Sequence, residues 1–141
     1  MSAASLFAWI ATVLVGLLLL VIWLMEYDPE FQSAAATRLP VPVISTHALL
    51  GMAGLLLWGG YLLADEDRLA YATIADLGIA AILGLTMAWR WIRVYRAPAD
   101  TDPTRVVTVP PERHFPLPAV ILHGILAVTT IVLVLFTVLT D

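Results

Sequence analysis

PVPVISTHALLGMAGLLLWGGYLLA, residues 40–64, decides the fold. From Pro42 to Ala64 the stretch carries no formally charged side chain. A helix that crosses the hydrocarbon of a bilayer needs about 20 largely apolar residues. Three further segments meet that requirement: Leu6–Met25, Leu69–Ile92 and Pro118–Thr140. Together the four consume most of the 141 residues, so no length remains for a separate soluble domain. The expectation is an all-α integral membrane four-helix bundle. It is one transmembrane domain over residues 1–141, with helices at about 6–25, 42–64, 69–92 and 118–140.

Composition agrees. Apolar residues make up 61% of the chain and charged residues 13%. A soluble domain of this size has too little interior to hide so much apolar surface. Cysteine is absent, which removes disulfides, thiolate nucleophiles, iron–sulfur ligation and covalent c-type haem. All seven basic residues are arginine, which reads as a genomic composition bias. The first apolar run is longer than a secretory signal core and lacks a preceding positive charge, so it reads as a retained helix. Ala34-Ala35-Ala36 resembles a cleavage site but lies well beyond that run.

The arginines set an expected orientation. Arg38, Arg90, Arg93, Arg96, Arg105 and Arg113 fall on one side of the membrane, and only Arg68 falls on the other. Positive residues favour the cytoplasmic side. The chain is therefore expected in the cell membrane as a multi-pass protein. Both termini would lie outside, with loops 26–41 and 93–117 cytoplasmic. Trp23, Tyr27, Trp89, Trp91 and Tyr95 would sit near the cytoplasmic boundary, and Trp9, Trp58, Tyr61 and Tyr71 near the outer one. Arg105–Val109 has the composition of one extended strand.

A short pattern occurs twice. Pro40-Val41-Pro42 is followed by His47, and Pro116-Leu117-Pro118 is followed by His123. Each reads Pro-x-Pro-x-x-x-x-His and runs on into an apolar stretch. The chain has three histidines, and the repeat uses two of them. The two helices point the same way, and proline suits a helix start. His47 and His123 should therefore share a depth, roughly 7–8 Å inside the arginine-rich end.

Matched imidazoles on parallel helices suit a metal-centred ring held between them. Neutral imidazole is the usual axial ligand of b-type haem. Small residues would make room for the macrocycle: Gly51 and Gly54 follow His47 on its face, and Ala127 and Thr130 are the counterparts beyond His123. Arg90, Arg93, Arg38, Arg113 and His114 would meet the propionates. The metal ligands would be His47 and His123. The plainer reading is that both imidazoles only hydrogen-bond across helix interfaces. Proton transfer and another metal also fit. A polar ring in lipid is costly in every case, which marks it for attention.

Asp76 is the other costly residue. It lies in a stripe of small side chains, Ala72, Asp76, Ala80, Gly84 and Ala88, which should pack on another helix. It can serve as a proton site or as a helix–helix hydrogen bond. Ser45 and Thr46 can bond back to their own helix. No phosphate loop, nucleophile elbow or metalloprotease motif is present, and the spread arginines fit topology or anionic lipid better than nucleic acid.

With its two Pro-x-Pro-x-x-x-x-His segments, the chain resembles small four-helix membrane-bound b-type cytochromes with bis-histidine ligation. It also looks like many uncharacterised bacterial four-helix membrane proteins, a likeness that implies no activity. The cytochrome resemblance implies one haem b, since only two helix histidines are available. It implies an electron carrier working with a quinone or a redox partner protein, and not an enzyme with its own substrate pocket. The alternative is a haem-free accessory subunit of a larger membrane complex, docked through the small-residue stripe. A transporter using Asp76 and the histidines is a third expectation.

Overall fold

A computed structural model describes residues 2–27, 39–98 and 109–140. Arg38, Arg105, the Ala34-Ala35-Ala36 segment and most of the expected strand lie outside the described residues. Among those described, the chain is helical: α1 (Ser2–Glu26), α2 (Val41–Ala64), α3 (Asp67–Arg96), a single 3₁₀ turn η1 (Pro111–His114) and α4 (Leu117–Thr140). All four α-helices are long and apolar enough to cross a membrane. Twenty-four residues of α-helix, the length of α2 and of α4, span about 36 Å, enough for the hydrocarbon core.

The helices outrun the expected segments at most ends. α2 and α4 begin one residue before the second proline, because the carbonyl of the first proline accepts the opening helical bonds. Pro40 O receives Val43 N at 2.9 Å and Ile44 N at 3.2 Å; Pro116 O receives Ala119 N at 2.9 Å and Val120 N at 3.1 Å. Proline lacks a donor that the first turn could not have used. α3 runs on to Arg96, with Arg93 and Arg96 in its last turn, where cations oppose the negative pole of the helix. Arg113 reaches back from η1 to close that end, donating to Val94 O at 3.4 Å and Ala97 O at 3.1 Å. Carbonyls otherwise left open at a helix terminus are thereby satisfied.

The turn between α2 and α3 depends on one residue. Asp65 adopts φ 53° and ψ 40°, the left-handed conformation, and donates its N–H to Tyr61 O at 2.9 Å. Left-handed geometry costs an L-residue about 1–2 kcal/mol, and glycine escapes that cost while adding about 0.4–1 kcal/mol of unfolded-chain entropy. Asp65→Gly is expected to raise the thermal unfolding midpoint in detergent by a small margin, and Asp65→Val to lower it. A lower midpoint for the glycine variant would contradict the observed turn.

α2 packs chiefly on α3, and α4 chiefly on α1; contacts between these two pairs are sparser. α2 and α4 stand diagonally opposite and make no close backbone approach among the described residues. Two apolar clusters fill the interior. One lies toward the acidic turn and gathers Trp9, Trp58, Tyr61, Ala70 and Val134. The other lies toward the arginine-rich end and gathers Trp23, Leu39 and Ile44, with Met87 and Phe115 against them.

The aromatic residues differ in burial. Trp9, Trp58, Tyr61, Trp23 and Trp91 are buried, whereas Tyr71, Trp89 and Tyr95 are exposed. Internal partners explain the inward turn of three indoles. Trp9 Nε1 donates to Gly51 O, Trp58 Nε1 to Ser5 Oγ and Trp91 Nε1 to Glu112 O, each at 3.0 Å. A buried indole N–H needs such a partner. Trp23 Nε1 has none among the described residues.

Candidate functional site

Between the two clusters, where α1 shows Thr12 to Gly16 and α3 shows Ala80 to Gly84, stand His47 and His123. Their ring centroids are 6.2 Å apart and their planes are inclined by 77°. Both rings are half-buried. The sequence repeat puts them at one depth, and the fold brings them together edge-to-face across the bundle diagonal.

Each ring is mounted the same way. His47 Nδ1 lies 3.0 Å from Ala80 O on α3, and His123 Nδ1 lies 3.1 Å from Thr12 O on α1. A carbonyl only accepts, so Nδ1 carries the proton and donates in both cases. Nε2 is then left with its lone pair free, the tautomer that binds metal. Two imidazoles fixed in this tautomer cannot hydrogen-bond to one another through Nε2, because both atoms are acceptors.

Glycine makes the mounting possible. A Cβ built on Gly84 would stand 3.0 Å from His47 Cε1, and one on Gly16 would stand 2.9 Å from His123 Cε1. Each glycine lies one helical turn beyond the carbonyl that holds its histidine: Ala80 precedes Gly84 by four residues, as Thr12 precedes Gly16. The Cε1 edge of each ring therefore approaches the helix backbone where no side chain intervenes. Thr12, Gly16 and Ala80 were not read as site residues from sequence, and Gly84 was noted only for its place in the small-residue stripe.

The other expected site residues are distributed as follows. Gly51 accepts the Trp9 indole bond, and a Cβ there would meet nothing within 4 Å. Gly54 faces away from the rings toward the Asp76 carboxyl and the Trp9 ring, whose Cζ2 would lie 2.6 Å from an added Cβ. Ala127 is half-buried on α4. Thr130 is buried and shares a 3.0 Å hydroxyl–hydroxyl bond with Thr12. Arg90 and Arg93 are exposed at the arginine-rich end, with the Arg93 guanidinium 3.9 Å above the Trp89 ring. Arg113 is occupied with the end of α3, and His114 Nδ1 lies 3.7 Å from Glu26 Oε2 on an exposed surface.

The stripe turns only partly inward: Ala72 is exposed, and Asp76, Gly84 and Ala88 are half-buried. Ala80 is buried, Gly84 lies under His47 and Asp76 lies against Gly54 of α2. Part of the stripe is thus taken up by contact with α2, while Ala72 remains exposed.

Chemically, the pair offers two nitrogen ligands and no more. No group of three or more His, Cys, Asp or Glu residues able to hold a metal ion occurs among the described residues. A bare divalent ion usually takes at least three protein ligands. Two axial nitrogens suffice only where the remaining positions are filled by something that arrives with the metal, as in a haem. A metal–nitrogen bond of about 2 Å on each side plus an imidazole radius of about 1.1 Å on each side places ring centroids roughly 6 Å apart. No family model matches the chain, and no curated protein or solved structure matches it.

Proposed function

We propose that the protein is a membrane electron carrier, or a subunit of one, that holds a single b-type haem between His47 and His123. The observation that carries this reading is the 6.2 Å separation of two imidazoles, each locked through Nδ1 to a carbonyl of a neighbouring helix. That combination supports axial ligation more than simple bracing. Bracing uses Nδ1 alone and gives no reason for two Nε2 lone pairs at one level of the bundle.

When bound, the group would supply one-electron chemistry. The protein would supply the rest. Ala80 O and Thr12 O fix tautomer and ring orientation and raise ligand basicity. Gly16 and Gly84 let the rings lie close to α1 and α3. The flanking clusters exclude water and so tune the potential. Gly51 and Ala127 would lie near the macrocycle, whereas Gly54, turned toward Asp76 and Trp9, would not; Arg90 and Arg93 would face its propionates. In this reading the arginine-rich end is cytoplasmic, the termini are outside, and the bundle is built from two helical hairpins related as a repeat, α2 matching α4, about an axis near the membrane normal. Electrons would pass between a quinone or partner protein and a further redox centre.

The test is optical. Protein purified in mild detergent is expected to show sharp b-type bands in a reduced-minus-oxidised spectrum, with one haem per chain by extraction. Colourless protein that co-purifies with a larger assembly and tolerates histidine substitution would favour the haem-free accessory subunit instead. The two histidine–carbonyl bonds would then serve only to join helices.

A further inference from the structure

Asp76 has a role in neither the bracing of the bundle nor the ligation described above. Its Oδ2 is buried and has no hydrogen-bond partner among the described residues. The carboxyl lies over Gly54, beside the Trp9 ring. Trp9 turns its carbon edge to it, because its N–H is spent on Gly51 O. A Cβ at position 54 would fill the space the carboxyl takes; the missing side chain on α2 is what admits it.

Among the described residues this carboxyl has no ion-pair partner. α1 has no ionisable residue before Glu26, α2 has only His47 and Tyr61, and α4 has only His123. On α3 itself, Asp67, Arg68 and Tyr71 lie toward the acidic turn. A carboxylate in such surroundings is expensive unless it meets a proton or a nearby positive charge. Asp76 stands one turn, about 6 Å, along α3 from Ala80, the residue whose carbonyl holds His47. Unit charges roughly 10 Å apart at an effective permittivity near 20 shift an equilibrium about tenfold. A change of one charge between the histidines is therefore felt at Asp76.

We infer that Asp76 is a proton-binding site coupled to the charge held between His47 and His123, with exchange toward the acidic-turn end of the bundle. This rests on the haem reading above. Asp76 takes up one proton as one electron arrives and gives it back as the electron leaves. One carboxyl O–H bond forms at Asp76 on reduction and breaks on oxidation. The electron comes from a hydroquinone, which becomes its semiquinone and releases one O–H proton to water; the proton bound at Asp76 is taken from water.

The experiment is a redox titration of the purified protein at several pH values, with redox-induced infrared difference spectra of the same samples. The native protein is expected to lower its midpoint potential with rising pH by up to about 59 mV per tenfold change in proton activity. A carboxylic acid carbonyl band should appear on reduction and shift in D₂O. In Asp76→Asn, which keeps the shape, the slope should flatten and the band should vanish while the optical spectrum stays. The native infrared measurement stands even where the variant fails to fold. Haem bands with no such carbonyl signal, or a slope unchanged in Asp76→Asn, would overturn this inference and leave the haem reading intact. Absence of haem bands would overturn both, and the optical spectrum distinguishes the two failures.

Discussion

His47→Ala and His123→Ala, made singly, are each expected to give a folded bundle with no b-type absorption. The two rings are equivalent in their mounting, so neither is a spare. In the haem reading, either variant would leave a single imidazole to hold the group, which would then be retained poorly. The fold should outlast the change. Each substitution deletes one Nδ1–carbonyl bond, worth about 0.5–1.5 kcal/mol, and leaves both apolar clusters intact. Circular dichroism should show native helicity, while the visible spectrum is empty. Native-like absorption in either variant would remove that residue from the site. A bundle that loses its helicity with the first ring would instead point to bracing as the main duty of the pair.

The second large effect is expected beneath the rings. Gly16→Leu and Gly84→Leu should each displace the imidazole above them, because even the first added carbon would fall 2.9 Å or 3.0 Å from Cε1. Overpacking of this kind costs about 1–3 kcal/mol. The ring has little freedom to yield while its Nδ1 holds a carbonyl on that same helix. Absorption should fall strongly in both variants, and the thermal midpoint should fall with it. Gly124→Ala is the matched control, since a Cβ there meets nothing within 4 Å; its spectrum should be native. Full absorption in Gly84→Leu would show that the close approach of α3 to His47 is dispensable.

The fold was legible because each helix is an apolar run of membrane-spanning length, a signal that needs no knowledge of packing. The helix starts were legible to within a residue at Pro40 and Pro116, since proline restricts where a helix can begin. Other ends moved by several residues, as at Ser2 and Arg96, because capping carbonyls and terminal arginines act beyond the apolar run. The histidine pair was legible from its repeated Pro-x-Pro context. Its supports were not. Thr12 and Ala80 contribute only a carbonyl, which every residue has, and nothing in the side chain marks them. Gly16 and Gly84 could have been found only by noticing two helices antiparallel to α2 and α4 with a glycine at the matching level. The pairing of α4 with α1 was also beyond reach, since helices distant in sequence give no local sign of contact. The burial of Trp9, Trp58 and Trp91 was missed for a similar reason: each depends on an acceptor in another part of the chain.

The two mounts differ in when they can be made. His47 finds its carbonyl on the next helix, 33 positions on, while His123 must reach one 111 positions earlier. During synthesis the first mount is ready once α2 and α3 have inserted. α1 waits in the bilayer without its principal neighbour until the last helix leaves the ribosome. Capture of any group by both rings would therefore wait until α4 has joined α1. A nascent chain stalled before α4 would carry one prepared imidazole and nothing to close on it.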